Sequence, residues 1–321
     1  MNRGFVFSLI ALLLLIPLAL LVIWNASASS SSSEQLVVRM KGGELANFAA
    51  SISQDSQRAL EISAKSALVA LIGHVIAEGN PADDSQARIL ELMFNGTYGG
   101  LPSSIMQNNS LSGWALRVQS KSWAYGLNAS VTINSVSVDQ LDSFTLLFSM
   151  NLSVKVRAQD DSMNFSRNYD LKKKVSVEGL EDVSFPLNSY GLIKRQYAAN
   201  STRVYGVTAL QSAIQSKIYV SSSDAPGFLD KLEGAMAPSG KYPSPFGAVT
   251  GLETFIDPLE FYTQDLPIFL NVSAIDHFYF NETKLPGKAI NQTAYPEFTY
   301  DYFALDDGKA EAYGVLDALV D

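Results

Sequence analysis

Apolar and polar positions alternate along this chain in ways that change twice, and each change marks a different kind of element. From Gly4 to Trp24 there is no ionisable side chain, and only Ser8 and the Pro17 ring interrupt the hydrocarbon. About twenty apolar residues make a helix long enough to cross a ~30 Å hydrocarbon layer, where every backbone N–H must be paired internally. The run therefore predicts an N-terminal transmembrane helix, kinked at Pro17, with Trp24 at the interface. The serines at 29 to 33 read as a flexible spacer that closes a membrane segment of residues 1–33. From Glu34 to about Glu78 the apolar positions fall at helical spacing: Leu45, Phe48 and Ile52, then Leu60, Ala64, Leu68, Leu71 and Val75. Gly42-Gly43 predicts a break near the start, and Gly79-Asn80-Pro81 a stop. A shorter helix is expected over Gln86 to Phe94, capped by Asp84 or Ser85 and ended by Asn95-Gly96. Together these form a helical stalk over 34–110.

From about Trp114 the period becomes two. Phe144, Leu146, Phe148, Met150, Leu152, Val154 and Val156 are apolar, while Thr145, Ser149, Asn151, Ser153, Lys155 and Arg157 lie opposite, Leu147 excepted. Val131 and Ile133 alternate with Asn128, Ser130 and Thr132 on the preceding strand; Phe165, Leu171, Val175 and Val177 return on the next. The pattern predicts an antiparallel β-meander over 111–190, packed on one face. Lys172-Lys173-Lys174 in its last strand reads as a solvated edge. Beyond, over 191–321, the elements are mixed: Val204 to Val220 is ambiguous, a short helix starts after Ala225-Pro226, Gly251 to Asp257 reads as a compact turn or helix, and Ile275 to Phe280 as a strand. The fold class is α+β: an N-terminal transmembrane helix, a long amphipathic helix, an antiparallel sheet head and a mixed C-terminal part.

Composition places the head outside the cell. Asn-x-Ser/Thr begins at Asn25, Asn95, Asn108, Asn128, Asn151, Asn164, Asn200, Asn271, Asn281 and Asn291, ten of seventeen asparagines; chance would give about three. Nine of them, from Asn95 onward, are candidate glycosylation sites. Asn128, Asn151 and Asn164 fall on the polar side of their strands, where a glycan has room. There is no cysteine, and 321 residues can bury a sizeable core without disulfides. A net charge of −9 with no basic patch argues against nucleic acid as a partner. Basic residues flank both sides of the apolar run, so charge orients it only weakly. Its short basic head leaves the N-terminus in the cytoplasm. The rival reading is a signal peptide cleaved near Asn25-Ala-Ser-Ala28, against which the apolar core is long.

Candidate chemistry is sparse. His74 and His277 are the only histidines, and no Gly-x-Ser-x-Gly elbow accompanies them. On a strand, Asp276 and His277 would point to opposite faces, so neither could orient the other. Zinc lacks cysteine and any His-x-x-x-His; Asp306-Asp307-Gly308 with Glu311, and Asp83-Asp84, lack the loop spacing of an EF-hand. Glu253 and Asp257, four apart, would share a helix face. No catalytic, cofactor or metal residue is assigned.

The N-terminus Arg3-Gly4-Phe5-Val6-Phe7-Ser8-Leu9, running straight into the apolar helix, resembles archaeal pilin-type leaders. The resemblance implies processing between Gly4 and Phe5. Val175 to Asp182, Ala225 to Gly234 and Gly251 to Asp257 also resemble stretches of uncharacterised membrane-anchored archaeal surface proteins. The expectation is a single-pass, glycosylated, pilin-like surface protein without catalysis, acting in assembly or adhesion with copies of itself or envelope partners. The alternative is an anchored hydrolase or carbohydrate-binding sensor, which needs a pocket where Glu253, Asp257, Asp276, His277, Asp306 or Glu311 converge.

Overall fold

The computed structural model describes residues 3–160, 162–198 and 204–320; the side chains of 3–14, 16 and 25–38 lie outside the description. In chain order the helices and strands are α1 (Arg3–Glu78), α2 (Ser85–Asn95), β1 (Thr97–Tyr98), β2 (Leu101–Pro102), α3 (Leu111–Ser122), β3 (Leu127–Asp142), β4 (Thr145–Ala158) and β5 (Asn164–Ser176). Then come α4 (Ser184–Asn188), α5 (Val207–Gln215), β6 (Tyr219–Gly227), α6 (Phe228–Leu232), β7 (Gly251–Thr254), α7 (Pro258–Tyr262), α8 (Asp276–Tyr279), β8 (Lys288–Ala289), β9 (Ala304–Leu305) and α9 (Asp307–Ala312). The class is mixed, with small antiparallel sheets.

Two compact units form, one of Met1–Gln54, Val118–Val131 and Val154–Arg167, the other of Asp55–Arg117, Thr132–Ser153 and Asn168–Asp321. They cut across the boundaries expected at 33, 110 and 190, because α1 and the three long strands each contribute to both. In the first unit Leu45, Ala49 and Ile52 are buried on the helix, and Leu127, Ala129, Val154, Val156 and Ala158 on the strands. Lys41 Nζ lies 2.6 Å from Asp160. In the second unit Leu60, Ala64, Leu68, Leu71 and Val75 are completely covered, as their spacing predicts. Trp114 Nε1–H donates to Asp55 at 2.8 Å, and Lys173 Nζ reaches Glu61 at 3.0 Å. Lys172 and Lys174 stay in solvent.

The helix α1 is continuous, contrary to the expected spacer at the serine run and break at Gly42-Gly43. Extending an existing helix avoids the nucleation cost, so a serine or glycine costs only about 0.5–1 kcal/mol each. Among the described residues one stretch of it, Arg39–Glu78, is long and apolar enough to cross a membrane, and half of that window is buried inside the protein. Upstream, the described side chains of the apolar run are bare: Leu15 and Val22 are 60% exposed and Trp24 78%. Gly4 and Phe5 lie within the helix, but their side chains fall outside the description.

The sheet order is β3-β4-β5. Within the second unit Asn151 Nδ2–H donates to Asp170 at 2.5 Å and Ser153 Oγ–H to Asn168 at 2.8 Å, so residue numbers rise on one strand as they fall on the next. Leu146, Phe148, Met150, Leu152, Val154 and Val156 of β4 are all buried, and their polar neighbours half-buried or exposed. Leu147, the exception in the pattern, is buried as well. Helix α3 replaces the strand expected from Trp114; its buried Leu111 and Trp114 are three apart, a helical interval too short to outweigh the following alternation. Helix α2 ends as its sequence dictates: Asp84 accepts from the Ala87 N–H, and Gly96 adopts φ 76°, a conformation glycine enters freely.

Of the sequon asparagines, Asn95, Asn108, Asn128, Asn164 and Asn271 are exposed and Asn151, Asn281 and Asn291 half-buried. Asn200 and the Asn25 side chain lie outside the described residues.

Candidate functional site

The polar interior of the second unit is built where β6 meets β7. These strands pair antiparallel, with Tyr219 opposite Thr254 and Val220 opposite Glu253. The register then slips, so that both Ser222 and Gly227 face Gly251. A Cβ on residue 251 would stand 2.1 Å from the Ser222 carbonyl oxygen and 2.3 Å from that of Ala225, so only glycine closes this bulge. The segment expected as a turn or helix at Gly251 is thus a strand. Its partner α8 is a helix where a strand was expected: four residues, with aromatic composition favouring extension, are too few for a helical period to show.

Thr254 and Asp276 meet directly, the Thr254 N–H donating to Asp276 Oδ1 at 3.1 Å. On either side of this junction lies a buried ionic cluster. In the first, Lys231 of α6 is 1% exposed and its Nζ lies 2.5 Å from Asp276 Oδ2 and 2.8 Å from Asp182 Oδ2. Tyr219 donates its hydroxyl to Asp182 Oδ2 at 2.9 Å, and the Ser184 N–H serves Oδ1 at 3.0 Å. The rings of Tyr197 and Tyr219 stand 5.8 and 5.3 Å from the ammonium. Burial pushes the Asp182 carboxyl up, but the Lys231 charge and hydrogen bond outweigh it and hold the group below its ordinary value. Burial likewise opposes charge on Lys231, and the two aspartates overcome it, so its pKa is raised.

The second cluster centres on Glu253. Lys309 of α9 donates to Glu253 Oε2 at 2.5 Å, to Asp224 Oδ1 at 2.7 Å and to Ser222 Oγ at 3.0 Å. Tyr313 donates to Glu253 Oε1. His277 Nε2 lies 3.1 Å from Glu253 Oε2; since an ionised carboxylate only accepts, the proton is assigned to Nε2. Nδ1 of that buried ring has no hydrogen-bond partner. Burial raises the Glu253 carboxyl, and His277, Lys309 and Tyr313 together hold it below its ordinary value. Burial, then Glu253, pushes the Tyr313 phenol far up. A cavity of about 570 Å³ opens beside this cluster, lined among others by Ser222, Asp224, Glu253, Asp306, Lys309 and Tyr313.

Of the residues whose convergence a hydrolase requires, Glu253 and Asp306 line the cavity, while Asp276 and His277 are buried behind it. Asp257 caps α7 through the Leu259 N–H, and Glu311 is exposed; neither reaches the cavity. Asp276 and His277 do not join each other: one serves Lys231, the other Glu253. No described hydroxyl donates to His277. Ligand atoms of Asp224, Glu253 and His277 lie within 4.8 Å of one another, a spacing that suits a metal ion. The Lys309 ammonium already holds the two carboxylates, supplying the positive charge a cation would bring. Asp306 caps α9 and accepts from Ser273 at 2.8 Å, and Asp83 pairs with Arg88 at 2.7 Å, so those acidic turns serve local structure. His74 packs against Tyr98, the rings tilted by 40° with centroids 3.6 Å apart.

Sequence reasoning missed Lys231, Asp182, Lys309, Asp224 and Tyr313. The one trace among them is that Asp182 and Lys231 each fall in a segment that resembles archaeal surface proteins, as Glu253 does. No family model, characterised protein or solved structure matches the chain.

Proposed function

We propose that this is a single-pass, N-glycosylated surface protein, anchored by α1 with its head on the extracytoplasmic face, acting in assembly or adhesion in the manner of a pilin-like subunit. The observation that carries this reading is the bare stretch between Leu15 and Trp24, whose described large side chains are 60–78% exposed. Leaving a leucine in water forgoes about 1.5–3 kcal/mol, so lipid or the helices of neighbouring copies must cover it. The sequons support the outward head: none of the eight with described side chains is buried. Lys309 is held by Glu253 and Asp224, an ionic tie that suits a rigid scaffold.

The cavity beside Glu253 and Lys309 favours a second reading, an anchored sensor or hydrolase for a small polar ligand. Extraction from native membranes in mild detergent separates the two. An oligomer or filament is expected under the first reading. A monomer that hydrolyses or binds sugars supports the second and contradicts the first.

A further inference from the structure

We infer that Lys231 and Asp276 condense to an intramolecular amide, a covalent staple between α6 and α8, with Asp182 as the proton relay. This goes beyond the surface-protein reading and does not depend on it. The geometry supplies each requirement of the reaction. The nucleophile is hydrogen-bonded to the carboxyl group it attacks, Nζ lying 2.5 Å from Asp276 Oδ2. Water is excluded, since Asp182 is 0% and Lys231 and Asp276 each 1% exposed. A backbone donor already points at the second oxygen, the Thr254 N–H at 3.1 Å from Asp276 Oδ1, where negative charge develops as the carbonyl carbon is attacked. The third group, Asp182, reaches the same Nζ at 2.8 Å.

The two aspartates differ in a way that assigns their roles. Asp182 Oδ2 accepts from both Lys231 and Tyr219 and its Oδ1 from Ser184, so it is fixed as a carboxylate and suited to take and return a proton. Asp276 Oδ2 has Lys231 alone, and is free to leave.

The balance closes without a co-reactant. One proton passes from the Lys231 ammonium to Asp276, giving amine and acid. The Nζ lone pair bonds to Cγ, and Oδ1 takes the negative charge. Asp182 removes a proton from the nitrogen and delivers it to the Oδ2 hydroxyl, which departs as water while the Oδ1 carbonyl reforms. The C–N bond forms, the Cγ–Oδ2 bond breaks, and nothing is oxidised or reduced. Two buried charges disappear with their desolvation penalty, and Asp182 keeps the Tyr219 hydroxyl and the Ser184 N–H as partners. The link would close a loop between residues 45 apart in a chain with no cysteine for a disulfide.

Peptide mapping of the full-length protein by mass spectrometry tests this directly. The expected result is one branched peptide joining the segments that carry Lys231 and Asp276, lighter than their sum by one water, with no tryptic cleavage after Lys231. Recovery of the two segments as separate peptides would overturn the proposal, as would a branch from Lys231 to Asp182. Asp182→Asn preserves shape and removes the relay; the rate of cross-linking is then expected to fall by about a hundredfold. A D182N chain that cross-links as fast as the parent would contradict the relay. Lys231→Arg must give only the separate peptides; a water loss that persists in it lies elsewhere and counts against the link.

Discussion

Replacing Lys231 by Met is expected to destabilise the protein by about 3–5 kcal/mol, a large share of the roughly 5–15 kcal/mol that holds a domain together. The methionine fills nearly the same volume, so the loss is electrostatic. Asp182 and Asp276 are left facing one another, 0% and 1% exposed, with no cation between them. Tyr197, Tyr219 and two backbone N–H groups remain as partners, neutral donors that do not replace the lost cation for two carboxylates in a dry interior. The direction is the same for an ionic and an amide-linked pair, since both bonding states neutralise Asp276. Adding Asp276→Asn to Lys231→Met should restore part of the loss by removing one orphaned charge. Chemical unfolding of residues 34–321 measures both. A single-variant loss below about 1 kcal/mol, the level of an ordinary surface change, would mean that Lys231 is not what balances the two aspartates.

Phe148→Ala is expected to cost about 3–5 kcal/mol, through lost transfer energy and the cavity left behind. Phe148 is completely covered in the middle of β4, between the equally buried Leu146 and Met150. Ser149, one position on, is half-buried on the opposite face, and its replacement by Ala should stay within about 0.5 kcal/mol. Equal sensitivity at the two positions, read by the same unfolding experiment, would contradict the two-faced strand.

That strand marks how far the chain can be read without its structure. Period two over a dozen residues names a strand and its buried face, and period 3.6 from Leu60 to Val75 names a core helix, because both signals repeat many times within one element. Asp84 and Gly96 were legible as helix ends for a local reason too: each acts on backbone within four residues. Where the pattern was short or spoken against by its neighbours, local reading failed. Four residues at Asp276–Tyr279 fit a strand as well as a helix, and Gly42-Gly43 breaks a helix only when nothing on either side sustains it.

The ionic interior was beyond reach for a different reason. Asp182 and Lys231 are 49 residues apart and Lys231 and Asp276 45, and no periodicity relates them. The short helix expected after Ala225-Pro226 carries no pattern that marks Lys231 as buried. Only the three-dimensional pairing of β6, β7 and α8 turns it inward. The acidic residues singled out for a pocket fared in between: Glu253 and Asp306 do share a cavity, but the lysine that lines it with them, Lys309, lies in α9 among acidic residues that drew the attention instead.

In the proposed arrangement α1 anchors the chain and leaves its head outside. Protease added to intact cells tests it most directly. The account predicts that the head is removed beyond Trp24 while a short N-terminal helix stays with the membrane pellet. Protection of the residues after Trp24 until the cells are lysed, or recovery of the whole chain in the soluble fraction, would contradict it.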